Sequence, residues 1–342
     1  MRGPGPVAVV TEVDDVTADM VITKLNERGV PVIRFDPSDI GAHLSFSARF
    51  GAGTASPTGH LRTPSRATCL EGVRAVYWRR PTWPLFEHLD EADARYATAQ
   101  VRHGLGGTLY ALPNCRYVNH PLRNHTAEHK PLQLAAAERF GFAVPPTLIS
   151  NDLCDVRAFI ADHGRVIHKA LRWTPYRRAD GVGLTTWTEP VTADEVDESV
   201  RVVPHLFQAR VDKVADLRVV VAGGQVFPVR IDSDLLDWRA DYDALTYQVT
   251  TLPNGMDKAL IAYLEHFGLA SGSFDLAMDR DGHLHWLELN PNGQWGWLED
   301  QTGLPITAAF ADLLEQGPTP CPSLTPHRNG RPSPTASPSK DT

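Results

Sequence analysis

Residues Ser271 to Asp300, SGSFDLAMDRDGHLHWLELNPNGQWGWLED, constrain this chain more than any other stretch. Two short alternating runs flank Asp281-Gly282. Asp-Gly between such runs is a strong hairpin signal, because a tight type I′ turn needs positive φ at both central residues. With Asp281 and Gly282 as the loop, Arg280 pairs with His283, and counting back sets Asp275 opposite Glu288. Asn290 lies two residues beyond Glu288 and points to the same face. Phe274, Leu276, Leu287 and Leu289 then point the other way, into a core. Like charges facing each other destabilise a sheet, so the two carboxylates need positive charge between them. A hard divalent cation such as Mg²⁺ takes carboxylate and amide oxygens, and Asp275, Glu288 and Asn290 are its candidate ligands. The same pattern also describes a solvated polar face. Pro291-Asn292-Gly293 ends the second strand, and Gln294-Trp295-Gly296-Trp297 puts two indoles on the loop beyond it.

The chain has 342 residues, enough for two or three domains and a large core. Hydrophobic content of 42% and charged content of 22% are those of an ordinary soluble globular protein. A net charge of −8 argues against a general nucleic-acid or membrane-surface binder. Cys69, Cys115, Cys154 and Cys321 are scattered, which suggests neither a disulfide framework nor a zinc site and fits a reducing cytoplasm. The N-terminus has no secretory apolar region, and no run approaches a membrane span.

In order, Val7–Val10 reads as a strand, Asp14 to Arg28 as a helix stopped at Gly29, and Val30 to Phe35 as a second strand. This βαβ opening predicts a parallel, Rossmann-like sheet, without the glycine-rich fingerprint of a dinucleotide site. Leu44 to Arg62 reads as a hairpin around Gly51-Ala52-Gly53, Val73 to Trp78 as a strand, Leu85 to Leu109 as one helix, and Asn114 to His120 as a strand. His125 to Phe142 reads as one helix carrying Lys130, followed by a rigid Pro145-Pro146-Thr147. Asp155 to His163 is helical, and Arg165 to Ala170 is a strand from which Lys169 points off one face. Leu171 to Thr188 is a loop with Arg172, Arg177, Arg178, Gly181 and Gly183. Glu189 to Val200 reads as a helix or an exposed connection, and Val202 to Val211 as an apolar run broken at Gln208. Two strands then turn at Gly223-Gly224, with Arg218 beginning one and Arg230 ending the other, so that the turn brings them near each other. Asp237-Trp238-Arg239 follows, then an amphipathic helix from Met256 to Phe267 and a last helix from Pro305 to Gln316. From Gly317 to Thr342 the chain is rich in Pro, Ser and Thr and reads as a disordered tail.

The string Leu287 to Glu299 after a Phe-Asp hairpin resembles the metal-binding end of an ATP-grasp ligase. More narrowly, it resembles the ribosomal peptide maturases that make graspetides, peptides crosslinked through side-chain esters and amides. Asp237-Trp238-Arg239 matches that branch, where it either touches the peptide or buttresses a loop. The resemblance implies an α/β ATP-grasp fold in four parts. These are an N-terminal Rossmann-like pre-grasp domain (1–120), a central subdomain (121–205), a C-terminal subdomain with the metal site (206–316) and the tail (317–342). It implies ATP and Mg²⁺, two ions, as cofactors. Lys130 and Lys169 would reach the nucleotide, and Gln208, Ala209, Arg210 and Val211 would line its adenine edge. Arg218 and Arg230 would neutralise the γ-phosphate and an acyl-phosphate, Arg230 being the stronger candidate. The loop from Leu171 to Thr188 would close over the phosphates, although it holds more arginine and less glycine than such loops often do.

The implied chemistry begins with attack of a carboxylate on the γ-phosphate of ATP, giving an acyl-phosphate and ADP. A hydroxyl or amine then displaces phosphate. The implied partner is an acidic ribosomal precursor peptide whose leader segment docks on the central domain, with Arg79, Arg80, Arg172, Arg177 and Arg178 as candidate holders of its core. No nucleic acid and no membrane is expected, and a homodimer is left open. Two alternatives remain at this point. One is an amino-acid ligase extending a C-terminus, and the other is a non-catalytic ATP-binding regulator.

Overall fold

The computed structural model describes residues 5–51, 54–172, 176–177, 183–184 and 186–317. The tail beyond Gly317, half of the predicted phosphate-covering loop and the tip of the first hairpin lie outside them.

The chain opens with β1 (Val7–Val10), α1 (Val16–Glu27) and β2 (Val32–Phe35). Asp15 caps α1 by accepting the Ala18 N–H at 3.2 Å. A small antiparallel meander follows, β3 (Ser45–Gly51), β4 (Thr54–Arg62) and β5 (Ala67–Cys69). Then come β6 (Ala75–Trp78), α2 (Glu91–Val101), α3 (Gly107–Tyr110) and β7 (Arg116–Val118). The sheet runs β2-β1-β6-β7 with every pair parallel, as the βαβ opening predicts. The single helix predicted from Leu85 to Leu109 starts only at Glu91, where Asp90 caps the N–H groups of Ala92 and Asp93. Pro81 and Pro84 keep the preceding chain extended, and a π-turn at Arg102–Gly106 separates α2 from α3.

The helix predicted from His125 to Phe142 is two, α4 (Pro121–Ala127) and α5 (Lys130–Arg139). Pro131 has no N–H to offer the Ala127 carbonyl, so the helix breaks there. Gln133 Nε2 takes that carbonyl instead, at 2.6 Å. The next elements are β8 (Thr147–Ser150), α6 (Leu153–His163) and β9 (Val166–Lys169). A short pair, β10 (Tyr176–Arg177) and β11 (Gly183–Leu184), precedes β12 (Glu189–Val191) and β13 (His205–Ala209). The second sheet runs β12-β9-β13-β8, all antiparallel. It therefore extends to Ala209, past the boundary expected at 205. Val156 and Ile160 of α6 pack against Val166 and Phe207. Strand alternation leaves Ile167, Lys169, Leu206 and Gln208 on the opposite face.

The last sheet runs β16-β15-β14-β17-β18. It comprises β14 (Lys213–Ala222), β15 (Gln225–Asp232), β16 (Thr246–Val249), β17 (Ser271–Asp279) and β18 (Leu284–Asn290). Helices α7 (Met256–Phe267), α8 (Gly296–Thr302) and α9 (Ile306–Glu315) complete the fold. One face of the sheet presents Leu217, Val219, Val221, Phe274 and Leu289 to Ala136 of α5 and to Leu260 and Tyr263 of α7. The other presents Val220, Ala222, Phe227 and Val229 to a core shared with α1, α9, β1 and β6. Because α9 returns to the N-terminal sheet, both ends of the chain share one core.

The β17–β18 hairpin sets Asp275 opposite Glu288, as predicted, but by a different route. The turn has three loop residues, not two: Asp279 N–H reaches the His283 carbonyl and Gly282 N–H the Asp279 carbonyl. This offsets the register by one residue, so that Leu276 pairs with Trp286. A β-bulge between Asp275 and Leu276 restores the offset. The extra residue is Leu287. It lines a cavity rather than the core, and Trp286 takes the predicted core place.

Phe274 is fully buried between α7 and the sheet. Phe274→Ala is expected to lower unfolding stability by about 3–5 kcal/mol, whereas a change at exposed Val249 stays within about 0.5 kcal/mol, by urea denaturation.

Candidate active site

Three of the predicted groups meet on one patch. Asn290 Nδ2 donates to Asp275 Oδ2 at 2.9 Å and to Glu288 Oε1 at 3.2 Å. Both carboxylates are buried, and cations from three elements face them. Arg218, the direct cross-strand partner of Asp275, places Nη1 2.8 Å from each of its oxygens. Lys130, at the start of α5, is hydrogen-bonded to Glu288 Oε2. Arg239 Nη1 lies 3.4 Å from Glu288 Oε1. Burial works to raise the Glu288 carboxyl, yet Lys130, Lys169 and Arg239 hold it well below the usual carboxylate range. Burial wins at Asp275, whose carboxyl is raised despite Arg218. Two carboxylates joined through one amide, on adjacent strands, form a set of hard oxygen donors that fits Mg²⁺ once the Asn290 amide turns its oxygen inward.

A residue without a sequence signal fixes this geometry. Gln133 is buried in α5 and clasps Leu289, donating to its carbonyl at 2.8 Å and accepting from its N–H at 3.0 Å. Leu289 stands between Glu288 and Asn290, so the clasp ties the Lys130 helix to the ligand strand. The Asp-Trp-Arg string belongs to the site as well. Asp237 accepts from Arg239 Nε and Nη2, both at 2.8 Å, and so aims the guanidinium at Glu288. Trp238 is buried below, 5.5 Å from the Trp297 ring.

Arg230 does not join them. It pairs with Leu217, one position out of step with Arg218, and therefore points off the opposite face of the sheet. There it pairs with Asp232, Nη2 to Oδ1, at 2.6 Å. Arg218 holds Asp275 and donates to the Gln294 carbonyl at 3.2 Å. Arg79 is not an exposed peptide holder. It is buried, pairs with Asp15 at 3.2 Å and donates to Gln294 Oε1 at 2.7 Å. Arg80 pairs with Glu12, at 3.4 Å, instead of lining the site. The side chains of Arg177 and Arg178 lie outside the described residues.

Two cavities adjoin the patch. The first lies between the central and C-terminal sheets and is lined by Ile167, Lys169, Leu236, Ala277 and Leu287, with Gln208, Ala209, Arg210 and Val211 along one edge. Apolar side chains for a base, with Lys169, Lys213 and Arg239 among the charged residues that also line the space, suit a nucleotide. Gln208 supports that fit: Nε2 donates to Thr147 at 2.9 Å, while Oε1 is buried without a partner and is free to accept from a nucleobase amine. Burial pushes the Lys169 ammonium down to about 8, against the pull of Glu288. The second cavity is lined by Glu128, Lys130, Arg172, Trp187, Tyr242 and Asn292, and it shares Lys169, Thr188, Arg239 and Glu288 with the first.

No family model and no curated protein matches the sequence. Solved structures do. A RiPP-associated ATP-grasp ligase from Chryseobacterium gregarium, in complex with ADP and a leader and core peptide, is 26% identical with a TM-score of 0.83, over 92% of this chain and 98% of that one. The macrocyclase MdnC of Microcystis aeruginosa, bound with precursor peptide MdnA, is 26% identical with a TM-score of 0.82, over 91% and 99%. The macrocyclase MdnB of the same organism is 28% identical with a TM-score of 0.78, over 92% and 100%. This chain has the fold of an ATP-grasp ligase. The expected α/β class is met, and the parallel sheet is the Rossmann-like N-terminal part of that ATP-grasp fold.

The lowered Lys169 value carries a sign. Between about pH 8 and the model-peptide value of 10.5 the unfolded chain binds more protons than the folded one. Stability due to Lys169 therefore rises with pH across that window, and Lys169→Met flattens the rise in urea denaturation at pH 8 and pH 10. Arg218→Met leaves the Asp275 carboxylate buried and unpaired, with an expected cost of about 3–5 kcal/mol in the same assay.

Proposed function

We propose that this protein is an ATP-dependent, ADP-forming ligase acting on a ribosomally made precursor peptide. It activates Asp or Glu side chains as acyl-phosphates and joins them to Thr or Ser hydroxyls or to Lys amines, closing macrolactone or macrolactam crosslinks. The observation that carries this is the shared wall of the two cavities. Lys169, Thr188, Arg239 and Glu288 line both the first cavity, edged by Gln208 to Val211, and the second, lined by Glu128, Lys130 and Arg172. A phosphoryl group held at that wall is in reach of a carboxylate entering from the second cavity. The similar proteins whose structures hold leader, core or precursor peptides support a peptide as the molecule that enters.

Each group then has a task. Gln208 and the adjoining backbone to Val211 hold the base, and Leu287, re-aimed by the bulge, forms part of the floor. Asp275, Glu288 and Asn290 would hold Mg²⁺, which would supply positive charge to the transferring phosphoryl group. Lys130, Lys169 and Arg239 add fixed positive charge in a site that excludes water, where it is strongest. Arg239 faces both cavities and so meets either the substrate carboxylate or the new acyl-phosphate. The second cavity, of about 570 Å³ and lined in part by Trp187 and Tyr242, has room for a peptide segment. A cytoplasmic setting, where ATP is available, is part of this reading.

The test is to incubate the protein with ATP, Mg²⁺ and the acidic peptide encoded beside its gene, and to weigh the peptide. The expected result is loss of one water mass per crosslink, with matching ADP release, both abolished by Glu288→Gln. A gain in mass by one amino acid overturns the crosslinking assignment.

A further inference from the structure

Resting on that reading, we propose that Glu128 is the base that takes the proton from the acceptor hydroxyl or amine. Glu128 ends α4, two residues before Lys130, and lines the second cavity beside Lys130, Lys169 and Arg239. Among the described lining residues there are two carboxylates, Glu128 and Glu288, and no histidine or cysteine. Glu288 is fully engaged with Lys130, Arg239 and Asn290. Glu128 is not. Among the described residues its charged partner is Arg172, at 3.6 Å, beyond ordinary hydrogen-bond reach. Its side chain is 36% exposed, and the residue lines the cavity.

The chemistry needs such a group. An alcohol, or an amine arriving as ammonium, attacks poorly until its proton leaves. In the step assigned here the acceptor oxygen or nitrogen bonds to the acyl carbon. The acyl C–O bond to phosphate breaks, and phosphate departs with the electron pair. The hydroxyl proton, or the first proton of an ammonium, passes to the Glu128 carboxylate, which returns it to solvent, and the second proton of an amine acceptor leaves with the departing phosphate. The α4–α5 corner then serves both half-reactions, Lys130 the phosphoryl transfer and Glu128 the acyl transfer.

The experiment separates the two halves with hydroxylamine, which attacks acyl-phosphates as a neutral amine and needs no base. Wild type, Glu128→Gln and Glu128→Asp are each given ATP, Mg²⁺ and the precursor peptide, with and without hydroxylamine. For Glu128→Gln, crosslinking is expected to fall about 100-fold or more, while peptide hydroxamate forms within about threefold of the wild-type rate. Glu128→Asp recovers part of the crosslinking. Crosslinking by Glu128→Gln within about threefold of wild type overturns the assignment. So does an equal loss of hydroxamate and crosslinks, which places Glu128 in activation or folding. Wild-type enzyme that makes no crosslink overturns the function and the base together, and the control reaction shows this directly.

Discussion

Two carboxylates face each other across adjacent strands in the interior of the molecule, and the rest of the structure answers to them. Asp275 and Glu288 are buried, and uncompensated like charges at that distance are not tolerated in a medium of low dielectric. Compensation comes from three separate elements: Arg218 on β14, Lys130 on α5 and Arg239 on a short turn after β15. Each cation is in turn fixed by something else. Gln133 anchors the Lys130 helix to Leu289, Asp237 holds Arg239, and the Gln294 carbonyl takes the far side of Arg218. The site is thus a small charge lattice in which Arg218, Lys130 and Arg239 offset Asp275 and Glu288.

The same sheet serves two cores. Its outer face packs on α5 and α7, and its inner face on the N-terminal sheet through α1 and α9. Arg218, Asp275, Glu288 and Asn290, with Asp216 beside them, interrupt the apolar inner face. The loop beyond Asn290 is bolted to the N-terminal part by Arg79, which pairs with Asp15 and donates to Gln294. Thr17 also donates to Gln294, at 2.5 Å. The Pro-Asn-Gly-Gln segment therefore works as a joint. It carries the strand that bears the ligands on one side and the wall of the second cavity on the other.

Much of this was legible in the residues. The alternation around Asp281-Gly282 put Asp275 across from Glu288, and Asn290 followed from period two. Yet the register was reached through two offsets that cancel, a three-residue turn and a bulge at Leu287. Neither has a signal strong enough to read from one chain, because a bulge is chosen by what packs on each side. Arg230 shows the opposite failure. Its sequence position resembles that of a phosphate ligand, but one residue of register turns it to the other face. Arg239 was visible as part of Asp-Trp-Arg, and its aim was not, since that depends on Asp237 and on Trp238 packing beneath.

The sequence by itself determined most of the longer elements, the parallel opening, the carboxylate patch and, through the string Leu287 to Glu299, the kind of ligase fold. Those follow from local rules: periodicity, turn chemistry and a contiguous motif. The tertiary structure alone decided which cations reach the carboxylates, that Gln133 locks α5 to β18, that α9 closes the N-terminal core, and that one wall is shared by two cavities. These depend on groups more than a hundred residues apart meeting at hydrogen-bond distance, as Lys130 meets Glu288. Such meetings are set by how sheets stack and how helices are pinned, which no local pattern encodes.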